Sequence, residues 1–114
     1  MAAKKPVTFE QIVKKVRKTF ESADAREVFE HVAIEVDIVG EGAGAFYFEV
    51  AERACVVEPY NYYNNDGRII ASADVILQLA AKKIHMRDAW YSGQIKFEGN
   101  EVKFNLLLDK IKLK

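Results

Sequence analysis

The sequence predicts an α+β fold: a five-stranded, mostly antiparallel sheet covered on one face by helices. Three observations predict it. Apolar residues recur at helical spacing towards both ends of the chain, the period drops to two in between, and glycine- or asparagine-rich turns separate the alternating runs. The 114 residues, half of them hydrophobic, suit one domain with a sizeable core. Residues 1–7 read as a flexible N-terminal tail and residues 8–114 as the domain.

Thr8 opens the first helix. Thr8 and Gln11 have capping-box spacing, which satisfies two orphan amide donors. Phe9, Ile12, Val13, Val16 and Phe20 then share one face. Asp24 is placed to cap a second, shorter helix carrying Val28 and Phe29. In "AIEVDIV", Ile34, Val36 and Ile38 share a strand face; in "AFYFEVAE", Phe46, Phe48 and Val50 do. "GEGAG" between them reads as a hairpin connection. "ACVVEPY" is a third strand, with Pro59 at its end because proline lacks a ladder donor. "NNDG" is a turn and "RIIAS" a fourth strand.

"SADVILQLAAKKI" returns to helix. Ser72 is its cap and Asp74 suits the positive helix start. Asp74, Gln78 and Lys82 make a narrow polar stripe on an otherwise buried helix. "HMRDAWY" reads as irregular or a single turn. "SGQIKFEGN" is the fifth strand, with Ile95 and Phe97 facing inward. Asn100 can cap a last helix in which Phe104, Leu107, Leu108 and Ile111 lie at helical spacing, although the alternation in "EVKFNLL" also permits a strand.

Seventeen basic residues balance 17 acidic ones, with no basic tail, which disfavours nucleic acid as a partner. The start lacks an apolar signal core, and no apolar run approaches the ~18 residues that span a bilayer, so stable membrane insertion is not expected. The end, "KIKLK", is not a peroxisomal address. One cysteine, Cys55, fits a reducing compartment. Together these predict a cytoplasmic protein.

Catalytic and cofactor motifs are not found. Gly40, Gly42 and Gly44 lead into a strand, whereas a phosphate loop leads into a helix. His31 and His85 have no metal-ligand spacing. Cys55 sits in an apolar strand pattern and reads as buried and inert. Glu35, Asp37, Glu49 and Glu98 fall on polar strand positions and read as a solvated sheet face. "PYNYYNN" reads as a turn with packed tyrosines, since base stacking needs a basic groove beside it. No cofactor, no metal and no catalytic residue is therefore expected. The apolar stripes of the first, third and last helices face the same side of the sheet; a filled core and a lined pocket use the same residue types, so composition does not separate them.

The element order, with "SADVILQLAAKKI" followed through "HMRDAWY" by "SGQIKFEGN", resembles the sterol carrier protein 2-like domain family over residues 8–114. Three departures stand out. Ala81 precedes Lys82 where the family often has glycine, Asn100 follows Gly99 where it often has aspartate, and no glycine occupies the turn at Glu52-Arg53. The resemblance implies a non-catalytic lipid-binding or lipid-transfer protein. Its ligand would be a small apolar molecule, a fatty acid, acyl chain or sterol-like lipid, held in an apolar tunnel between sheet and helices. Carried onto this chain, the lining would be Ile12, Val16, Phe48, Leu77, Trp90, Phe97, Phe104, Leu107, Leu108 and Ile111. Arg17 or Arg26 would meet a carboxylate head. The alternative is a ligand-free structural or dimerisation module of the same fold; either would be a monomer or a homodimer.

Overall fold

A computed structural model describes residues 8–112. The segment read as a flexible tail, 1–7, and the last two residues, 113–114, lie outside the described residues. Helix α1, Phe9–Phe20, starts where the capping box sets it. The Thr8 hydroxyl accepts from the Gln11 N–H at 3.2 Å, and the Gln11 side chain accepts from the Thr8 N–H at 3.0 Å. Ile12, Val13, Val16 and Phe20 are buried along one face.

The second helix expected at Asp24 does not form. Asp24 does not act as a helix cap there. Its Oδ1 accepts the Arg26 N–H two residues on, which closes a turn, and its backbone pairs in both directions with Lys112. The one further turn bond runs from the Val28 N–H to the Ala25 carbonyl. Val28 is buried as expected, whereas Phe29 is exposed and stacks under the Arg53 guanidinium.

Four strands follow: β1 Val32–Val39, β2 Gly44–Ala51, β3 Ala54–Glu58 and β4 Gly67–Ser72. Helix α2 is Ala73–Ala80, α3 is Met86–Tyr91, β5 is Lys96–Gly99 and α4 is Glu101–Lys110. The sheet order is β3-β2-β1-β4-β5. The β1/β4 pair is parallel and the other three are antiparallel, so the sheet is mixed. The β2–β3 turn places two non-glycine residues, Glu52 and Arg53, at positive φ, the geometry that matches strand twist in a two-residue hairpin.

"HMRDAWY" is helical rather than irregular. Backbone bonds from Ala89 to His85 and from Ser92 to Asp88 close it, and Ala89 is fully buried. The preceding helix ends earlier than its sequence pattern suggests. Lys82 takes φ +61°, its N–H bonds the Leu79 carbonyl, and the Lys83 N–H bonds the Gln78 carbonyl. That is a Schellman stop with lysine where glycine is usual. Asn100 caps α4 by accepting the Lys103 N–H at 3.1 Å, so the last segment is helix.

Register puts the apolar side chains on one face. Phe48 pairs with Ile34 and with Val57; Val36 pairs with Phe46 and with Ile69, which in turn pairs with Phe97. All of these are buried, and the helices lie over them. The opposite face is not solvated throughout. Residues 59–66 fold across it and bury Glu35, while only Tyr62 of the three tyrosines packs; Tyr60 and Tyr63 are exposed. Stability on this face therefore comes from polar contacts rather than from a second apolar layer.

Gly67 leaves no room for a side chain. A Cβ there would lie 2.3 Å from Cζ of Phe97, whose ring cannot turn away because it stacks on Phe104 with centroids 4.1 Å apart. Gly67→Ala is expected to cost about 2 kcal/mol through overpacking, read as a lower urea midpoint.

Candidate functional site

The core is not filled evenly. Where the end of α1, the end of α2 and α4 converge over β2, they leave an apolar cleft of about 310 Å³. Phe20, Phe48 and Leu79 form its floor. Leu107, Leu108 and Ile111 of α4 form one wall, and Ile84 and Met86 of the α2–α3 connection the other. Lys82 and His85 stand at its lining with the polar groups. A narrow crevice of about 10 Å³ continues inward between the sheet and the helices, past Val16, Val36, Phe46 and Ile76; Phe20, Phe48, Leu79 and Met86 line both spaces. Phe20 and Phe48 stack at the junction, centroids 5.3 Å apart. An apolar chain in the cleft would thus meet two rings and a flexible methionine, side chains able to shift without breaking a hydrogen bond.

The residues expected from sequence to line a tunnel separate into three groups. Phe48, Leu107, Leu108 and Ile111 line the cleft, and Val16 lines its inner crevice. Trp90, Phe97 and Phe104 instead pack on one another, with centroids 4.1–5.6 Å apart, and close the β5 end of the core. Ile12 is fully buried and lines neither space; Leu77 faces a separate groove between α1 and α2. The sequence list omits Phe20, Leu79, Lys82, Ile84, His85 and Met86.

Neither arginine expected to meet a head group borders the cleft. Arg17 donates from Nε and Nη2 to the Val57 carbonyl at 3.2 and 3.0 Å, while Glu21 Oε2 accepts the Val57 N–H at 2.9 Å. Arg17 of α1 and Glu21 at its C-cap thereby close the middle of edge strand β3 against addition of another strand. Arg26 is exposed and paired with Asp24, which holds that carboxyl far below the usual range.

The outer face of the sheet holds a polar cluster. His31 Nε2 lies 2.5 Å from Glu49 Oε2, and the Tyr62 hydroxyl donates to the same oxygen at 2.8 Å. These bonds, His31 first, hold Glu49 below its ordinary pKa of 4.5. Burial pushes Glu35 up, but the neighbouring Asp37 and the bonds accepted from the Tyr62 N–H and the Asn61 amide outweigh burial and keep it low; Asp37 is raised by burial and by Glu35. A depressed carboxyl stabilises the fold above its unfolded pKa and loses that contribution as pH falls. Acidification below about pH 4.5 should therefore lower the thermal midpoint of the wild type more than that of Glu49→Gln; equal slopes would remove Glu49 from the account. Cys55 is buried and its thiol is pushed up to about 12, so it stays protonated. Among the described residues, no group of three or more His, Cys, Asp or Glu side chains is arranged to hold a metal ion, and no helix is long and apolar enough to cross a membrane.

The family model of the SCP-2 sterol transfer family matches residues 9–105. No curated protein matches the chain. Among solved structures, the sec-alkylsulfatase PisA1, from Pseudomonas sp., superposes in a double-mutant form with a TM-score of 0.67 at 11% identity over 93% of this chain. This chain spans only 16% of that sulfatase. Sterol Carrier Protein 2 Like 2 from Aedes aegypti superposes with a TM-score of 0.62 at 14% identity, covering 88% of this chain and 93% of that one. A solution structure of the palmitated form of that protein gives 0.59 at 15% identity over 90% of this chain and 93% of that one. These structural likenesses concern the fold.

Proposed function

We propose, from the premise that this chain belongs to the SCP-2 sterol transfer family, that it is a non-catalytic lipid-binding or lipid-transfer protein whose ligand is a single acyl chain. One observation carries the reading: the apolar cleft of about 310 Å³ between sheet and helices, with a crevice leading on into the core. Its size is at the lower end of small-molecule pockets, which run about 300–1,000 Å³. A flexible chain can thread past Phe48 and Met86, whereas a rigid fused-ring sterol would need the roughly 10 Å³ crevice opened wholesale. The palmitated state of the Aedes aegypti neighbour supports the same ligand class.

Lys82 and His85, the polar side chains of the cleft lining, are the proposed contacts for a carboxylate head. They replace Arg17 and Arg26 in that role, because both arginines are engaged elsewhere. Affinity would come from burial, at about 0.8 kcal/mol per methylene. Delipidated protein titrated with a fluorescent fatty acid should show saturable binding competed by palmitate, and native mass spectrometry of freshly purified protein should show a bound acyl chain. No saturable binding together with no co-purified lipid would overturn the reading.

A further inference from the structure

The two edges of the sheet are not alike. Edge strand β3 is closed by Arg17 and Glu21, whose side chains take up the Val57 carbonyl and N–H. Strand β5 stands at the other edge, and among the described residues it pairs only with β4. An open strand edge is a template for another strand. Lys96 and Glu98 flank Phe97 along it; both are exposed, whereas Phe97 turns into the core. Among the described residues, neither Lys96 nor Glu98 forms an ion pair. Arg68 lies opposite Glu98 in the register, but its guanidinium bonds Asp37 at 3.2 Å. Lys96 lies opposite Ile70. Two opposite charges thus stand on an open edge without partners.

We propose that β5 is a dimerisation edge: two copies of the chain pair β5 to β5, antiparallel, about a two-fold axis beside Phe97. Such an interface is self-complementary by symmetry. Lys96 of each copy then falls opposite Glu98 of the other, and opposite charges directly across an antiparallel pair attract. Charge alternates across the joined sheet, from Glu35 of β1 to Arg68 of β4 to Glu98 of β5 and on to Lys96 of the second copy. Charge also selects the occupant and its direction. Parallel pairing in register would set Lys96 against Lys96 and Glu98 against Glu98. The strand required is a glutamate and a lysine around one apolar residue, which is the chain's own β5 run backwards. The apolar cleft lies over β2, three strands away, so both clefts stay open in the dimer.

Sedimentation velocity over a concentration series from about 1 to about 500 μM tests the pairing. A contact of two short strands is smaller than a standard interface, so the dimer should dissociate in the micromolar range. Lys96→Glu and Glu98→Lys each replace both attractive pairs by repulsive ones, and each should weaken the dimer about tenfold or more. Mixed in equal amounts, the two variants should form a heterodimer of about wild-type strength, because the glutamates of one strand face the lysines of the other. Added salt should weaken the wild-type dimer and tighten that of Lys96→Glu. Fatty-acid affinity should not change in either variant. A wild-type protein that stays monomeric over the whole series would overturn the pairing. Single variants that dimerise as strongly as wild type would overturn it too, by placing the interface elsewhere. Folded single variants that remain monomeric when mixed would overturn the match of Lys96 with Glu98. Should Glu98→Lys not fold beside Arg68, Lys96→Glu decides alone: a dimer no weaker than wild type, or one that salt does not tighten, overturns the pairing.

Discussion

Asp66→Ala is expected to destabilise the protein by about 2–4 kcal/mol, the range for orphaning a buried donor and losing a charged partner. The aspartate joins three parts of the fold. Its Oδ2 accepts the Ala33 N–H at 2.8 Å, and its Oδ1 accepts from Lys103 Nζ at 2.9 Å. Its own N–H donates to the Ala33 carbonyl, and its carbonyl accepts the Asn100 N–H, both at 2.8 Å. The start of β1, the start of β4 and the cap of α4 therefore meet at one residue. Ala33 is fully buried, so alanine at 66 leaves its N–H without partner or water. The Lys103 contact is worth less, at most about 1 kcal/mol, because both side chains are partly exposed.

Asp66→Asn separates the two contributions. An asparagine oxygen can still accept from Ala33 but gives up the charge, so its cost should be about 1 kcal/mol. Urea midpoints for the two variants measure the difference. Should Asp66→Ala unfold within about 0.5 kcal/mol of wild type, the junction carries no weight in the fold. Because α4 forms a wall of the cleft, the alanine variant should also bind acyl chains more weakly than Asp66→Asn.

Such a junction was not legible in the sequence. "NNDG" announces a turn, but nothing local says that its aspartate reaches back to β1 and forward to α4. What was legible shares one property: its determinants lie within a few residues of one another. The capping box at Thr8 and Gln11, the cap at Asn100 and the alternation of Ile34, Val36 and Ile38 are of this kind. The cap expected at Asp24 misled because the same short side chain also closes an i+2 turn, and pairing with Lys112, far along the chain, settled the competition.

The cleft divides in the same way. Periodicity identified Phe48, Leu107, Leu108 and Ile111 as inward-facing, and they line it. It identified Phe97 and Phe104 equally well, and the resemblance added Trp90; these three fill space with one another. Facing inward is a local property, whereas bordering a gap depends on the volumes of every neighbour. Lys82, Ile84, His85 and Met86 escaped notice because a chain reversal at Lys82, with positive φ on a non-glycine residue, delivers them to the cleft. The resemblance pointed to a glycine one position earlier, at Ala81, and so to the neighbourhood of the reversal but not to its pivot.

Leu108→Glu is expected to weaken fatty-acid binding about 100-fold, or roughly 2.7 kcal/mol, while leaving the protein folded. Leu108 lies on the wall of the cleft and is only half-buried, so a carboxylate there can reach water in the empty protein. A bound acyl chain would take that water away, and the carboxylate would be left against methylenes without a partner. The penalty then falls on the complex and not on the fold. Val102→Glu is the matched control: the same helix and the same added charge, but at a side chain 78% exposed and outside the cleft lining. Titration with a fluorescent fatty acid should separate the two variants by their dissociation constants, with unfolding free energies from urea titration within about 1 kcal/mol of each other. Wild-type affinity in a folded Leu108→Glu protein would place the acyl chain elsewhere. Equal loss in both variants would mean that negative charge on α4 repels the fatty-acid carboxylate from a distance, a long-range effect that salt would abolish and direct contact would not.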